Sequence, residues 1–204
     1  MSKWKLALLL IFLAVMVPLC MVGYEIFKSG FSAKPEPSAL EVTVARQVRR
    51  LAIPRSQHDA RNPLPVSPQL LQEARIHFAD HCAICHGNDG KGKTAIGQGL
   101  YPRAPDMTKP EIQDMTDGDL FFIIHNGIRL TGMPAWGKGP PEKDTDSWRL
   151  VHFIRHLPKI TPEELDDMKR YNPIGEMERM KETEIDQFLS GEEGPQPASP
   201  AHEH

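Results

Sequence analysis

The sequence predicts an all-α protein, with one membrane-spanning helix followed by a small helical domain. Three observations carry this. An uncharged run of nineteen residues, Leu6 to Tyr24, lies near the N-terminus. Downstream, apolar residues recur at helical spacing between Gly- and Pro-rich loops, with no convincing two-residue alternation of a strand. Between those helices stands Cys82-Ala83-Ile84-Cys85-His86, a spacing with its own chemistry.

The composition narrows the choices first. The chain has 204 residues, enough for one ordinary domain with appendages, and its 19 Pro and 7% aromatics indicate long connections and a modest core. The formal net charge is −3 and no Lys/Arg block is long enough to track a phosphate backbone, so no nucleic-acid partner is expected. Three Cys, at 20, 82 and 85, exclude a disulfide framework.

At 1.5 Å per helical residue, the run Leu6–Tyr24 covers about 28 Å, close to the roughly 30 Å of a bilayer's hydrocarbon core. No small-x-small cleavage site follows it, so residues 1–28 are expected to stay as an anchor. Lys3 and Lys5 keep the N-terminus cytoplasmic, which sends the rest across the membrane. Cys20 in this run reads as apolar filler.

Residues 29–66 read as a linker. Lys34-Pro35-Glu36-Pro37 breaks the helix, and Ser38-Ala39-Leu40-Glu41 reads as a capping box opening an amphipathic one. Its stripe is Leu40, Val44, Val48 and Leu51, with Arg46, Arg49 and Arg50 on other faces. Such a helix suits anionic headgroups or a partner subunit, or else packs on its own domain. Ser67 before Pro68 then supplies a helix start.

Residues 67–158 read as three helices. The first covers Pro68 to Ala79. The second opens at the capping signal Thr116-Asp117-Gly118-Asp119 and turns Leu120, Ile123, Ile124 and Ile128 inward. The third runs from about Asp146 through Trp148, Val151, Phe153, Ile154 and Leu157 to a stop at Pro158. Three short helices bury a thin core, so a bound group is expected to complete it. Residues 159–204 carry 12 acidic against 5 basic residues. Here Thr161-Pro162-Glu163-Glu164 opens one short helix and residues 175–189 form another, while 190–204 read as disordered, with His202 and His204 too isolated for a metal site.

C-x-x-C-H is the attachment pattern of a c-type haem. Two thiols three positions apart reach two vinyl groups of one porphyrin, and the adjacent His lies under the iron. A thioredoxin-like pair would sit in a βαβ unit, and a zinc site would need two more close ligands. Neither is present in the sequence. One covalent haem c, through Cys82 and Cys85, is the expectation.

With these residues in order, the chain resembles the class I cytochrome c family, in particular its bacterial membrane-anchored single-haem members. The resemblance spans roughly residues 67–158. Ala74 and Phe78 before Cys82 look like the family's entry helix, Ala104-Pro105-Asp106-Met107 like the segment whose Pro carbonyl accepts from the proximal His, and Thr131-Gly132-Met133-Pro134-Ala135-Trp136 like the distal Met loop. The helix Trp148 to Leu157 looks like the closing helix. The resemblance implies a class I cytochrome c fold around one covalent haem, with His86 and Met133 as iron ligands and Pro105 orienting His86. It further implies Tyr101, Arg103 and Trp136 as propionate partners, and Phe78, Met107, Leu120 and Ile124 as haem walls. His125 is the rival distal ligand and is expected on the surface, as are His152 and His156.

With both axial positions filled, one-electron transfer is favoured over catalysis at the metal, so no enzyme is expected. The expected protein is an electron carrier or electron-transfer subunit, single-pass in a bacterial inner membrane, its haem domain in the periplasm. Partners would be the membrane and redox proteins or other subunits of a respiratory or photosynthetic complex. A haem enzyme or gas sensor would need a displaceable distal ligand, and a structural haem subunit would exchange no electrons.

Overall fold

A computed structural model describes residues 2–173 and residue 185. The expected second extension helix, the 190–204 tail and His202 and His204 lie outside the described residues, apart from Ile185. Among the described residues the chain is helical, with no strand.

Helix α1, Lys3–Lys28, contains the uncharged run and is the one described helix long and apolar enough to cross a membrane. None of its residues is buried by the rest of the chain, as a helix solvated by lipid requires. Pro18 sits inside it. Helix α2, Ala39–Ala52, starts where the sequence places it, with the Ser38 side chain accepting from Glu41 N–H. The Glu41 carboxylate, expected to close a capping box, accepts from the Tyr101 hydroxyl at 2.5 Å.

The linker does not hang free of the domain. Ile53 is buried, and the single turn α3, Arg55–His58, packs on helix α8, Asp117–Asn126. His58 Nδ1 lies 2.8 Å from Asp119 Oδ1, and the Thr116 hydroxyl donates to His58 O. Gly118 makes this approach feasible, because a Cβ there would stand 1.7 Å from Gln57 O. Gly118→Ala must therefore lift the strap from α8, at an expected cost of about 1–3 kcal/mol. A thermal melt of the holoprotein checks this, and an unchanged midpoint would mean the contact carries no energy. Further along, Asn62 donates to Trp148 O and His152 Nε2 lies 2.9 Å from Leu64 O.

The core forms where α4, Pro68–His77, crosses α9, Thr145–His156. Ala74 has no exposed surface, so the helices approach closely, and Phe78 meets Phe153 with ring centroids 5.0 Å apart. Ser67 caps α4 through Leu70 N–H, as its sequence predicts. Helix α4 does not stop at Ala79. It continues as a π-helical turn, Phe78–Cys82, into the short helix α5, Ala83–His86. Wide turns of this kind tend to occur at functional sites, and here one delivers the two Cys. Two further single turns, α6 (Ala95–Gly99) and α7 (Pro110–Gln113), punctuate the loop leading to α8.

Helix α8 opens with the full Thr116–Asp119 capping box. Helix α9 begins one residue earlier than read, because Asp144 caps it by accepting from Ser147 N–H. Past Pro158, helix α10, Pro162–Met168, opens with the expected Thr161–Glu164 box. It lies on the domain: Met168 is fully buried, Arg75 binds Glu164 and Asp167, and Asn172 donates to Ala79 O. Chain from both sides of the 67–158 segment thus packs onto it.

Candidate haem site

Cys82, Cys85 and His86 all sit on the bend from the π-turn into α5. The loop after them is drawn tightly against that bend. Gly92 N–H donates to His86 O at 2.7 Å, and the Thr94 hydroxyl lies between Ile84 O and Cys85 O, at 2.9 and 3.0 Å. Thr94 also caps α6 by accepting from Gly97 N–H. Gly97 has no room for a side chain, since its Cβ would stand 2.1 Å from Cys85 O. Ala104 N–H then donates to Gly97 O and Met107 N–H to Gly90 O, which closes the loop.

The loop of Met133 is fixed by the C-terminal end of α8. Ile128 N–H donates to Met133 O, Trp136 N–H to Ile124 O and Gly137 N–H to His125 O. The Thr131 hydroxyl accepts from Met133 N–H. Two contacts bring this loop to the Cys-bearing side: Gly132 lies against the Leu100 side chain, and the Trp136 ring meets His81, beside Cys82, edge-on at 5.4 Å. Residues far apart in sequence are thereby gathered around one place.

Burial, then Cys85 and Asp80, push the Cys82 thiol up to about 12, and burial raises Cys85 as well. Neither Cys is in a disulfide, and no cluster of three metal-ligating side chains is present among the described residues.

His86 is buried, and burial pushes its ring down to about 4, which keeps a neutral imidazole with a lone pair at pH 7. Its Nδ1 is buried without any hydrogen-bond partner. An orphaned ring nitrogen of this kind is rare unless another group completes the site. Two free thiols and a buried, neutral His fit a haem c.

Several expected contacts are placed differently. Pro105 is exposed and the bond from His86 Nδ1 to its carbonyl is not formed. Tyr101 and Arg103, expected at the propionates, hold linker carboxylates: Tyr101 that of Glu41, and Arg103 that of Glu36 at 2.6 Å. Trp136 is half-buried against His81, Phe78 lies in the α4–α9 core, and Met107 is buried in the same cluster.

His125 corrects the sequence reading most. It is buried, not superficial, stacked on Phe121, with Nδ1 2.6 Å from Asp144 Oδ2. Ser147 donates its hydroxyl to that same oxygen, and Gly137 lies flat against the imidazole. The reason is the Asp144 cap, which brings the start of α9 against the end of α8. The spacing Asp144-Thr145-Asp146-Ser147 was the available signal, and it is easily passed over in a polar loop. His152 and His156 do not share a partner: His152 faces Leu64 O, and His156 faces the Glu164 carboxylate.

Asp144 gives a pH-dependent prediction. Burial works against its charge, yet bonds from the Ser147 hydroxyl, His125 and Ser147 N–H hold its carboxyl below the ordinary 3.8. A lowered folded pKa stabilises above the unfolded value, and the contribution is lost as the pH falls below 3.8 through the folded value. Asp144→Asn should cost about 1–3 kcal/mol at pH 7 and flatten stability in that acid range. Denaturant melts between pH 3 and 7 read both effects, and an equally steep acid loss in the variant would exclude Asp144 as its source.

Comparisons with known proteins agree with this geometry. Residues 69–154 match the family model of cytochrome c oxidase, cbb3-type, subunit III. Over 94 residues, 46% of this chain, the sequence is 33% identical to the cbb3-type cytochrome c oxidase subunit FixP of Rhizobium meliloti (strain 1021). The match spans 29% of that relative's length.

Proposed function

We propose, from the premise that the segment 69–154 belongs to the class I c-type cytochrome family, that this chain passes single electrons on the outer face of a bacterial inner membrane as a subunit of an oxidase-type complex. In this reading residues 1–28 are the anchor, 29–66 the linker, 67–158 the haem domain and 159–204 an acidic extension. The observation that carries it is the buried, neutral His86 in one short segment with two free thiols.

Each residue has one task. Cys82 and Cys85 would tether a haem c covalently, and His86 and Met133 would hold its iron. A haem so ligated supplies a one-electron iron couple, raised in potential by the Met sulfur. Leu120 and Ile124, buried on α8, would exclude water from the haem. The π-turn and the Thr94–Gly97 clasp hold the Cys-bearing bend rigid, so little rearrangement accompanies a change of charge. The tether confines the domain to the membrane and raises its effective concentration near membrane partners. The printed name of the relative, a cbb3-type oxidase subunit, supports such a partner.

The test is purification of the full-length chain from its membranes in mild detergent. Oxidase-type subunits should accompany it, its haem should be reduced and reoxidised during oxygen consumption, and carbon monoxide should leave its ferrous spectrum unchanged. An immediate carbon monoxide shift, or a haem that stays ferric during turnover, overturns the reading.

A further inference from the structure

The apolar stripe of α2 has no cover within the chain. Leu40, Val44, Val48 and Leu51 are 74, 52, 60 and 83% exposed. These positions fall on one side of a helix, at spacings of four, four and three. The opposite side is against the haem domain: Val42 and Arg49 are half-buried, Ile53 at its end is buried, and Glu41 is bound by Tyr101. The helix is therefore backed by its own domain and turns its apolar face outward.

Two further facts identify the occupant. Ten residues, 29–38, join the end of α1 to the start of α2, a reach of at most about 35 Å. The segment from Lys28 to Arg61 carries seven Lys/Arg against three acidic residues. Of those three, Glu36 and Glu41 are engaged by Arg103 and Tyr101, while Arg46 and Arg50 stay exposed. We propose that α2 lies flat in the headgroup layer of an anionic bilayer, its stripe of Leu40, Val44, Val48 and Leu51 in the acyl boundary and the exposed Arg46 and Arg50 on lipid phosphates. Amphipathic basic helices bind such surfaces through apolar burial and charge together. Because α2 is fixed to the Tyr101–Arg103 loop, this contact sets the attitude of the haem domain to the membrane as well as its distance. The inference rests on α1 as the anchor.

Photocrosslinking tests it with the full-length holoprotein in vesicles. A benzophenone side chain is placed at position 48 in place of Val48, at position 13 in α1, and at position 111 on the haem domain, where Glu111 is exposed. Position 48 should yield lipid adducts by mass spectrometry, as position 13 does, while position 111 yields none. The position 48 adduct should fall several-fold when phosphatidylglycerol is replaced by phosphatidylcholine, and also in Arg46→Gln/Arg50→Gln, with position 13 unaffected. In native membranes, a protein adduct at position 48 in place of lipid overturns the inference in favour of a partner subunit. No adduct at 48 with lipid adducts at 13 overturns it while leaving the anchor intact. Loss at both positions overturns the anchor reading and the inference with it.

Discussion

With Cys82 and Cys85 both changed to Ala, the chain will carry no covalent haem, and the haem stain that survives denaturing electrophoresis will disappear. The two thiols stand on the π-turn and the start of α5, where the bond from Gly92 N–H to His86 O and the Thr94 hydroxyl fix the backbone. Burial raises the pKa of each thiol. Loss of the haem has a large consequence for stability. The core is one cluster of buried side chains around the α4–α9 crossing, and His86 Nδ1 has no protein partner. The haem-free chain therefore loses the apolar burial the porphyrin would supply to this small core. Single variants should retain a stainable haem on one thioether, with the ferrous absorption band shifted to the red by the vinyl left unsaturated. Cys20→Ala should change nothing, since Cys20 is exposed on α1. A double variant that still stains would mean the haem is held elsewhere.

Met133→Ala is expected to open the distal position. The ferric spectrum should change its ligand-field bands, carbon monoxide should bind the ferrous form at once, and the reduction potential should fall. The fall should be on the order of 0.2 V, within the roughly 0.8 V that axial ligands span. Met133→His should lower the potential without opening the site. The loop itself is expected to survive both changes, because its backbone is fixed from α8 by three bonds, to Ile124 O, to His125 O and from Ile128 N–H. Thr131→Ala is the graded control: it removes the acceptor for Met133 N–H and should shift the potential less than loss of the sulfur. A Met133→Ala protein with unchanged spectrum and potential would show that the sulfur is not a ligand.

Much of the fold was legible because the signals are local. Ser67, Thr116 and Thr161 each place a hydroxyl where a helix's first free N–H groups need an acceptor, and each caps its helix in the structure. Ala74 and Phe78 are spaced to meet the closing helix, and they do. The resemblance found on residues 67–158 is the one the family comparison returns for 69–154.

What stayed illegible is what depends on contacts distant in sequence. Helix α4 reads in the sequence as ending at Ala79, yet the chain runs on through a π-turn into a Cys-bearing bend that residues 92–97 hold from outside. Tyr101 and Arg103 read as propionate partners, and nothing in the sequence signals that the linker carboxylates of Glu41 and Glu36 bind them. His125 read as a surface residue because α8 alone leaves it outside, and only the Asp144 cap of α9 encloses it.

The sequence by itself determined the capped starts of α4, α8 and α10 and the membrane-length apolar run, because capping and hydropathy act over a few neighbouring residues. Only the tertiary structure decided that linker and extension both pack on the domain, that His125 is enclosed and that the α2 stripe faces outward. Burial is a property of what lies across from a side chain, and a one-dimensional pattern does not contain the other side.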